Sequence, residues 1–404
     1  MCPVAERDGE GSFSPRARLA FATERLRAVA SGPHPRAGFE GTLRDWRWAL
    51  RRWTLRHIFY RMRLPVRRRR WVAELEARTR GYEKNLLAQR TKGPAVAFGE
   101  FSGKHGLGRA AAYDVAQLRA HHSSLTLVDI GPYLKGLAPQ PLTFAVKPEN
   151  VYFLCQPDTY GVVCSLIAPG DIARAWRLGR WVWETPLFPE DWRQAENLVH
   201  EVWAPSAFCA ETFRRAMSIP VQVVPHAVTL LMDTGIDMRA RLGFASEHFL
   251  GLAIMDIQSC PERKNPWAHV HAWKRAFSGD PAFHLIMKLR VGKRTRVVLD
   301  ELRELIGSDR NISLMTEDLS DEEIAALQRS ADLYLSLHRS EGFGLNIYEA
   351  LLLGKTVIAT DWSANAEYGR GFPNYVPIPP RLVSYRDWTA HYAAGRFAWA
   401  DTFS

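Results

Sequence analysis

The chain has 404 residues, of which 47% are hydrophobic and 24% are charged, and this composition excludes a largely disordered or collagen-like protein. Its length corresponds to roughly two or three domains. The formal net charge of +10 is unevenly distributed, because residues 1–92 contain 22 Lys and Arg against 9 Asp and Glu, and the remainder contains 31 against 34. The basic character therefore belongs to one end of the chain.

No apolar run approaches the roughly 18 residues that cross a bilayer, and the first residues lack the apolar middle region of a secretory signal. The sequence therefore predicts a cytoplasmic location. The five cysteines are widely spaced and form no CxxC pair, which favours buried thiols over a disulfide framework or a zinc site. They are Cys2, Cys155, Cys164, Cys209 and Cys260.

Residues 1–92 form a basic extension in two parts. A Gly, Ser and Pro-bearing stretch continues to about Gly41, and a run rich in Arg and Trp follows. In this run, apolar residues alternate at spacings of three and four, which predicts an amphipathic helix: Leu43, Trp46, Leu50, Trp53, His57, Tyr60 and Leu64. Arg67 to Arg70 then add a block of positive charge. We expect residues 43–70 to bind an anionic membrane surface, with packing on protein as an alternative and nucleic acid as a weaker one.

From Gly93, short β-rich runs alternate with helical segments, which predicts parallel sheets with crossover helices. One set of predicted strands covers residues 94–98, 124–130, 150–155, 180–184, 201–206 and 221–226. The second covers residues 249–256, 283–289, 312–317, 332–338 and 356–360. The fold class is thus α/β, with two doubly wound domains over 93–245 and 246–404 and a ligand cleft expected between their strand ends. Ser320 and Glu323 have the spacing of a capping box, which predicts a helix beginning at residue 321.

The most informative stretch follows the predicted strand that ends at His338. A loop with Gly342 and Gly344 leads into a helix near Asn346. Glycine lets the backbone approach a ligand closely, and the free N–H groups at the start of a helix favour an anion, so this loop is predicted to bind phosphate. Glu341 and Glu349 frame this loop with seven residues between them, and ionised carboxylates accept hydrogen bonds from the hydroxyls of sugars. Alternatively, Asn346 and Glu349 have the spacing of an N-cap and its partner, so that Glu349 caps the helix.

This stretch, continued through TDWSANAEY, resembles the E-x7-E motif of family 4 retaining glycosyltransferases, which have the GT-B architecture of two facing Rossmann-like domains. The resemblance implies that Glu341 lies beside the donor sugar and that Glu349 binds the ribose of the nucleotide. It also implies that backbone amides of the intervening turn hold the diphosphate, at Phe343, Gly344 and Leu345.

A second segment of the resemblance is RKNP, where Arg263 and Lys264 can neutralise a diphosphate leaving group. Many members of the family also have an arginine six residues before the lysine, and this chain has Gln258 there. Lys288 and Arg290, at the end of the next predicted strand, are possible substitutes, and ordinary surface charge is the alternative interpretation.

Near the start of the first domain, the loop with Gly103, Gly106 and Gly108 resembles a dinucleotide fingerprint only loosely. We find no acidic residue that closes the second strand as that fingerprint requires, which disfavours a nicotinamide enzyme. The family resemblance implies that Gly106 and Gly108 face the donor.

The segments RWVWETP, FPEDWRQAENLV and HEVWAPSAFCAETFRRA resemble a bacterial subgroup of these transferases that builds surface polysaccharides. Glu184 would end its strand where some relatives carry a histidine near the reacting centre, so it could orient the acceptor hydroxyl, or stabilise a turn instead. His200 and His226 are predicted to be structural.

The resemblance implies transfer of a sugar from a nucleotide diphosphate sugar to a hydroxyl acceptor with retained anomeric configuration, and GDP-mannose is a common donor among similar proteins. No cofactor or metal is expected, because cations and a helix start meet the diphosphate charge. The basic extension suggests a lipid-linked or other glycan acceptor and a peripheral position on the inner face of the plasma membrane. Alternatives are a phosphorylase or epimerase of the same fold, and a non-catalytic or partner-dependent scaffold. The scaffold gains support from an ending, GRFAWADTFS, that is shorter than in relatives.

Overall fold

The computed structural model describes residues 14–31, 69–70, 72–103, 105–384, 392 and 398–401. The helix and apolar stripe predicted within residues 43–64 lie outside the described residues. The described residues divide into two compact units. The carboxyl-terminal unit combines helix α1 (Pro15–Ser31) with the chain from Leu230 onward, and the amino-terminal unit ends at Thr229.

The amino-terminal unit is built on a six-stranded parallel sheet of order β2-β1-β3-β4-β5-β6. Its strands are β1 Ala95–Gly99, β2 Leu125–Asp129, β3 Asn150–Leu154, β4 Trp176–Arg180, β5 Glu201–Ala204 and β6 Val221–Val223. Its α-helices are α2 over 72–79, α3 Gly106–Arg119, α4 Gly131–Leu134, α5 Tyr160–Leu166, α6 Pro169–Ile172 and α7 Ala207–Arg214. Two 3-10 helices cover Pro157–Thr159 and Glu190–Asn197.

The carboxyl-terminal unit contains a second parallel sheet, of order β12-β11-β10-β7-β8-β9. Its strands are β7 Phe249–Asp256, β8 Phe283–Arg290, β9 Ile312–Met315, β10 Leu333–Ser336, β11 Thr356–Thr360 and β12 Tyr375–Ile378, and β13 Arg381–Ser384 pairs antiparallel with β14 Ala398–Asp401. Its helices after α1 are α8 Met238–Leu242, α9 Pro261–Lys264, α10 Pro266–Phe277, α11 Arg296–Ile306, α12 Asp321–Ser330, α13 Leu345–Leu352 and α14 Ala364–Gly369, with a 3-10 turn over Lys293–Thr295.

The predicted α/β class with two doubly wound sheets is confirmed. Strands such as β1 and β3 are buried along their whole length, because helices cover both faces of a parallel sheet, and this explains their continuous apolar sequences. The capping box is also confirmed: the Glu323 amide donates to Ser320 Oγ at 3.2 Å, and the Ser320 amide donates to Glu323 Oε2 at 2.7 Å. Helix α12 therefore begins where the sequence predicts.

The strand predicted over residues 180–184 is wrong in position, since β4 ends at Arg180. The apolar residues that follow are buried by aromatic packing instead of strand pairing. Trp181 Nε1 donates to the Tyr160 hydroxyl at 2.7 Å, and Trp183 Nε1 donates to the Leu187 carbonyl at 2.7 Å. A run of bulky apolar residues has the same hydrophobic pattern in both situations, so the sequence could not separate them.

Helix α1 was not predicted, and it packs on the carboxyl-terminal sheet. Ala22, Leu26 and Ala30 repeat every four residues, form one face of the helix and are fully buried in the core around β7, β8 and α10. Phe21 lies 5.9 Å from Phe283 between ring centroids. A segment that sequence analysis assigned to the basic extension is thus part of the carboxyl-terminal core.

No helix in the described part of the chain is both long enough and apolar enough to cross a membrane.

Candidate functional site

The strand order of the carboxyl-terminal sheet reverses between β7 and β10. The loops that follow two such strands diverge to opposite faces, and ligands of open α/β sheets bind at this switch point. Here β7 leads into α9 with Arg263 and Lys264, and β10 leads into the loop with Glu341. The topology therefore brings together two segments that are nearly 80 residues apart in sequence.

Hydrogen bonds join these two segments along their backbones. The Arg339 amide donates to the Arg263 carbonyl at 2.8 Å, and Asn265 Nδ2 donates to the Leu337 carbonyl at 3.1 Å. Asn265 has φ 50°, a left-handed conformation that asparagine tolerates better than most residues and that ends α9 before Pro266. This accounts for the asparagine and proline of the RKNP segment.

His269 supports the same junction from α10. Its Nε2 accepts the Leu337 amide at 3.0 Å, so Nδ1 carries the proton and donates to the Asn265 carbonyl at 3.0 Å. Burial lowers the pKa of His269 to about 4, and the ring is neutral at pH 7.

At the centre of the site, both carboxylate oxygens of Glu341 are paired with cations. Arg263 Nη1 lies 3.0 Å from Oε2, and Lys264 Nζ lies 2.5 Å from Oε1. The side chains are 3% exposed for Arg263, 17% for Lys264 and 12% for Glu341. Two cations face one carboxylate, so the cluster retains an excess positive charge in a largely dehydrated position, which suits an anionic ligand.

The electrostatics of this ion cluster keep Glu341 ionised. Burial raises the pKa of its carboxyl group, but the adjacent Lys264 and Arg263 charges outweigh burial and hold the pKa at about 2. His338 lies beside the cluster, and neither of its ring nitrogens forms a hydrogen bond with a described residue. Burial, together with the two cations, lowers the pKa of His338 to about 4, so this ring is also neutral at pH 7.

The glycine turn is shaped by Gly344 and Tyr368. Gly344 has φ 84° and is the residue before α13, and a Cβ there would lie 3.0 Å from the Tyr368 hydroxyl. That hydroxyl donates to the carbonyls of Phe343 and Gly344. The amides of Gly344 and Leu345 donate no hydrogen bond to any residue in the described ranges. These two N–H groups at the start of an eight-residue helix are available to an anion.

Glu349 lies one turn inside α13 and is buried. Its Oε2 accepts a hydrogen bond from Gln328 Nε2 at 3.1 Å. The alternative in which Asn346 caps the helix with Glu349 as its partner is wrong, because Gly344 occupies the N-cap position and makes no side-chain cap. The N-cap therefore lies two residues earlier than this alternative placed it, at Gly344 with its positive φ.

The TDWSANAEY loop supports Glu341 from the other side. The Glu341 amide donates to Ser363 Oγ at 2.9 Å, and the Ala364 amide donates to the Glu341 carbonyl at 3.3 Å. Ser363 has φ 65°, a strained conformation for a residue other than glycine, and such strain is concentrated at functional sites. The spacing of Ser363, Tyr368 and Gln328 in the sequence does not distinguish them from other polar residues, so the sequence does not predict their roles.

Lys288 and Arg290 occupy different environments near the end of β8. Arg290 Nη1 pairs with Asp256 at 2.8 Å and is 43% exposed. Lys288 is only 7% exposed and forms no ion pair or hydrogen bond through its ammonium group with any described residue. It pairs in register with Ile254, whose carbonyl lies 3.5 Å from the side-chain Nδ2 of Asn346 in the first turn of α13. Burial lowers the pKa of Lys288. Gln258 lies against Gly292.

In the amino-terminal unit, the glycine loop after β1 is held by its own residues. His105 Nδ1 accepts the Gly108 amide at 3.3 Å, and its Nε2 lies 3.1 Å from Glu100 Oε2. A Cβ on Gly108 would lie 2.2 Å from the Gly103 carbonyl oxygen, whereas a Cβ on Gly106 would meet nothing within 4 Å. Gly108 is therefore required by packing in the loop itself.

Our statement that no acidic residue closes the second strand is wrong, because Asp129 is the last residue of β2. Its two oxygens accept the amides of Ser102 at 3.1 Å and Gly131 at 2.9 Å, so the carboxylate holds two loops in place. With Asp129 at this position, the end of β2 does not disfavour a nicotinamide enzyme.

Glu184 lies four residues beyond the end of β4, in a loop, and is half-buried. His200 is held between the Arg177 amide, 2.9 Å from Nδ1, and the Asn85 carbonyl, 2.8 Å from Nε2. His226 belongs to a buried network with Asp114 and Arg180, in which Arg180 Nε lies 2.8 Å from Asp114 Oδ2. These contacts agree with the predicted structural roles of the two histidines.

No group of three or more His, Cys, Asp or Glu side chains within the described ranges is arranged to hold a metal ion.

The two doubly wound sheets have the architecture of GT-B glycosyltransferases. HepE from Anabaena, solved with UDP and glucose, matches 68% of this chain and 82% of its own at 17% identity and a TM-score of 0.51. The match to sucrose-phosphate synthase from Thermosynechococcus elongatus covers 71% of this chain and 86% of the synthase, at 13% identity and a TM-score of 0.54. The match to a glycosyltransferase from Rickettsia africae covers 69% of this chain and 82% of that protein, at 15% identity and a TM-score of 0.51.

Residues 299–372 match the family model described as glycosyl transferases group 1. The matched segment extends from α11 to α14 and contains the glycine turn, Glu341, Glu349 and Ser363. The search of curated proteins found no match.

Proposed function

We propose that this protein is a retaining glycosyltransferase that moves a sugar from a nucleotide diphosphate sugar to a hydroxyl acceptor. The observation that carries the proposal is the ion cluster of Arg263, Lys264 and Glu341, whose carboxylate precedes by a few residues the two amides at the start of α13 that donate no hydrogen bond to a described residue. Cations and helix N–H groups bind phosphate, and a buried carboxylate binds sugar hydroxyls. Glu341 and the two amides lie in the segment that matches the group 1 model, and Arg263 and Lys264 precede it.

In this mechanism, the diphosphate of the donor binds the amides of Gly344 and Leu345 and the ammonium groups of Lys264 and Lys288, and the adjacent Arg263 charge also stabilises it. Negative charge grows on the diphosphate as the glycosidic bond breaks, and these fixed donors stabilise the transition state more than the ground state. Glu341 holds the sugar hydroxyls, and Glu349 accepts hydrogen bonds from the ribose. The acceptor attacks from the face that the nucleotide leaves, so the configuration is retained.

Phe343 has a buried side chain, and we propose that its backbone amide joins the diphosphate contacts. Gly106 and Gly108 are proposed to face the donor from the amino-terminal unit, and Glu184 to orient the acceptor hydroxyl. We propose that no cofactor or metal is needed, because the lysines and the helix start supply the positive charge. Full turnover in excess EDTA supports this, and turnover lost to EDTA and restored by Mg²⁺ or Mn²⁺ contradicts it.

The donor is identified by release of nucleoside diphosphate. UDP-, GDP- and dTDP-sugars are each incubated with the intact protein and a glycan or lipid-linked acceptor, and release that depends on acceptor identifies the donor. NMR of the product then gives its anomeric configuration. Glu341→Gln is the matched inactive variant. Wild-type protein that neither binds nor consumes any of these donors contradicts the proposal and favours a non-catalytic scaffold.

We also propose that the acceptor is lipid-linked, in polysaccharide biosynthesis, and that residues 43–70 hold the protein at an anionic membrane. The experiment must keep α1, because this helix is part of the carboxyl-terminal core. Replacing the four arginines 67–70 by glutamine leaves α1 intact. We expect weaker binding to vesicles containing phosphatidylserine and no change with neutral vesicles. Equal binding to both vesicle types by wild type contradicts an electrostatic membrane role.

A further inference from the structure

Lys264 and Arg263 are attached to the site in different ways. Besides Glu341, Arg263 Nη1 donates to the Ser340 carbonyl at 3.0 Å, and Nη2 donates to Ser259 Oγ at 3.2 Å. The guanidinium is therefore fixed by at least three partners at a buried position. The Lys264 ammonium group has no partner but Glu341 among the described residues.

This difference determines which cation can exchange partners. A lysine has a flexible stem and three donors, and when the Lys264 ammonium group moves it loses only its contact with Glu341. Moving Arg263 would leave the Ser340 carbonyl without this donor in a buried position, which costs free energy. Because Arg263 remains on Oε2, Glu341 keeps one cation and stays ionised when Lys264 leaves Oε1.

We infer that Glu341 is the resident counter-ion of the diphosphate subsite and that the donor displaces it from Lys264. Without a bound diphosphate, Lys264 pairs with Oε1 of Glu341. When a diphosphate occupies the subsite, Lys264 binds a phosphate oxygen, and Oε1 becomes available to a sugar hydroxyl. The inference rests on the proposed function and adds that phosphate binding and sugar binding are coupled through one lysine.

The coupling has a consequence that a simple sugar-binding role for Glu341 lacks. Removing the carboxylate charge should weaken transfer, since the sugar loses an acceptor, and should strengthen binding of a diphosphate without sugar. The carboxylate competes with phosphate for Lys264, so its loss releases the lysine. The two effects of Glu341→Gln therefore have opposite signs.

The probe is inorganic pyrophosphate in metal-free buffer, because it needs the subsite and no nucleobase. Its affinity is measured by calorimetry for full-length wild type, Glu341→Gln, Lys264→Met and the double variant. We expect Glu341→Gln to bind about tenfold more tightly than wild type, and the gain to be absent in the Lys264→Met background. Near-UV circular dichroism checks that each variant is folded.

Asp361→Asn is the matched control, because Asp361 is a carboxylate after β11 that pairs with Arg370 and not with the cluster. An equal gain in affinity for this variant would mean that general charge loss is responsible, and the inference would be wrong. No gain in Glu341→Gln, or the same gain without Lys264, also overturns it. If Glu341→Gln fails to fold, Glu341→Asp is used, which shortens the side chain and keeps its charge. We expect a smaller gain in pyrophosphate affinity for this variant. Unchanged affinity then counts against the inference. Donor turnover by wild type is measured separately, so a missing transferase activity is distinguished from a missing exchange.

Discussion

The loops that follow the strands of the two sheets have similar topology, but they differ in whether their polar groups have hydrogen-bond partners. In the amino-terminal unit, the loop carboxylates and histidines are bonded to the chain itself: Asp129 holds two amides, and His105 holds the Gly108 amide. In the carboxyl-terminal unit, the Lys288 ammonium group and the amides of Gly344 and Leu345 donate no hydrogen bond to a described residue, although the charges of Asp318, Glu317 and Asp256 act on Lys288. Donors without hydrogen-bond partners in a partly buried position are costly, and we base the proposed anion site on their presence at this sheet edge.

The largest effect should come from removing a cation of the carboxyl-terminal cluster. Lys264→Met should reduce transfer about 100- to 1,000-fold, as expected for one lost electrostatic contact to a leaving group. The control is Lys147→Met in the amino-terminal unit, where the lysine is 66% exposed and pairs with Asp171. Steady-state kinetics with the identified donor measure both, and equal losses would contradict the assignment of the anion site to one unit.

The amino-terminal glycine loop should respond through stability. Gly108→Ala forces a Cβ against the Gly103 carbonyl at 2.2 Å, and we expect it to lower the free energy of unfolding by about 2 kcal/mol. Gly106→Ala has open space and should change stability by less than about 0.5 kcal/mol. Urea denaturation measures the unfolding free energy of both variants and shows whether they differ. A Gly106→Ala variant that is stable but loses donor binding would show that this loop contacts the ligand.

Acid should destabilise the carboxyl-terminal cluster. The folded pKa of Glu341 is about 2, below its ordinary value of 4.5, so its contribution is complete above pH 4.5 and is lost as the pH falls towards 2. Between pH 5 and pH 3, wild type should lose about 2 kcal/mol more unfolding free energy than Glu341→Gln. Urea unfolding at the two pH values measures the difference, and parallel losses in both proteins would show that Glu341 is not held ionised by its neighbours.

The smallest effects are expected for substitutions of two partly buried lysines, one in each unit. Burial lowers the pKa of both, but Lys84 Nζ donates to the carbonyls of Glu196 and Val199, and Lys288 has no such partner. Lys84→Met should lower stability by about 1 kcal/mol and leave pyrophosphate affinity unchanged. Lys288→Met should weaken that affinity about tenfold without loss of stability. The reverse pattern would make Lys288 structural.

The sequence predicted the sheets well because buried parallel strands are continuous apolar runs, and β7 and β11 have the predicted bounds. The strand over 180–184 failed because Trp181 and Trp183 are buried by aromatic rings, a tertiary effect. For the proposed site, the spacing and the family resemblance predicted Glu341, Lys264 and the glycine turn, and the structure brings Glu341 and Lys264 into contact. The pairing of Arg263 and Lys264 with a single carboxylate depends on a contact across about 77 residues, which no local pattern contains.

Helix α1 makes the folding of the carboxyl-terminal unit depend on both ends of the described chain. Ala22, Leu26 and Ala30 fill a core whose other members begin at Phe249, so this core closes only after more than 200 residues have been synthesised. Such distant pairing is slow to form, and the exposed face of α1 needs protection on the ribosome in the meantime. A fragment that starts at residue 230 would lack these side chains and present an uncovered apolar surface to other molecules.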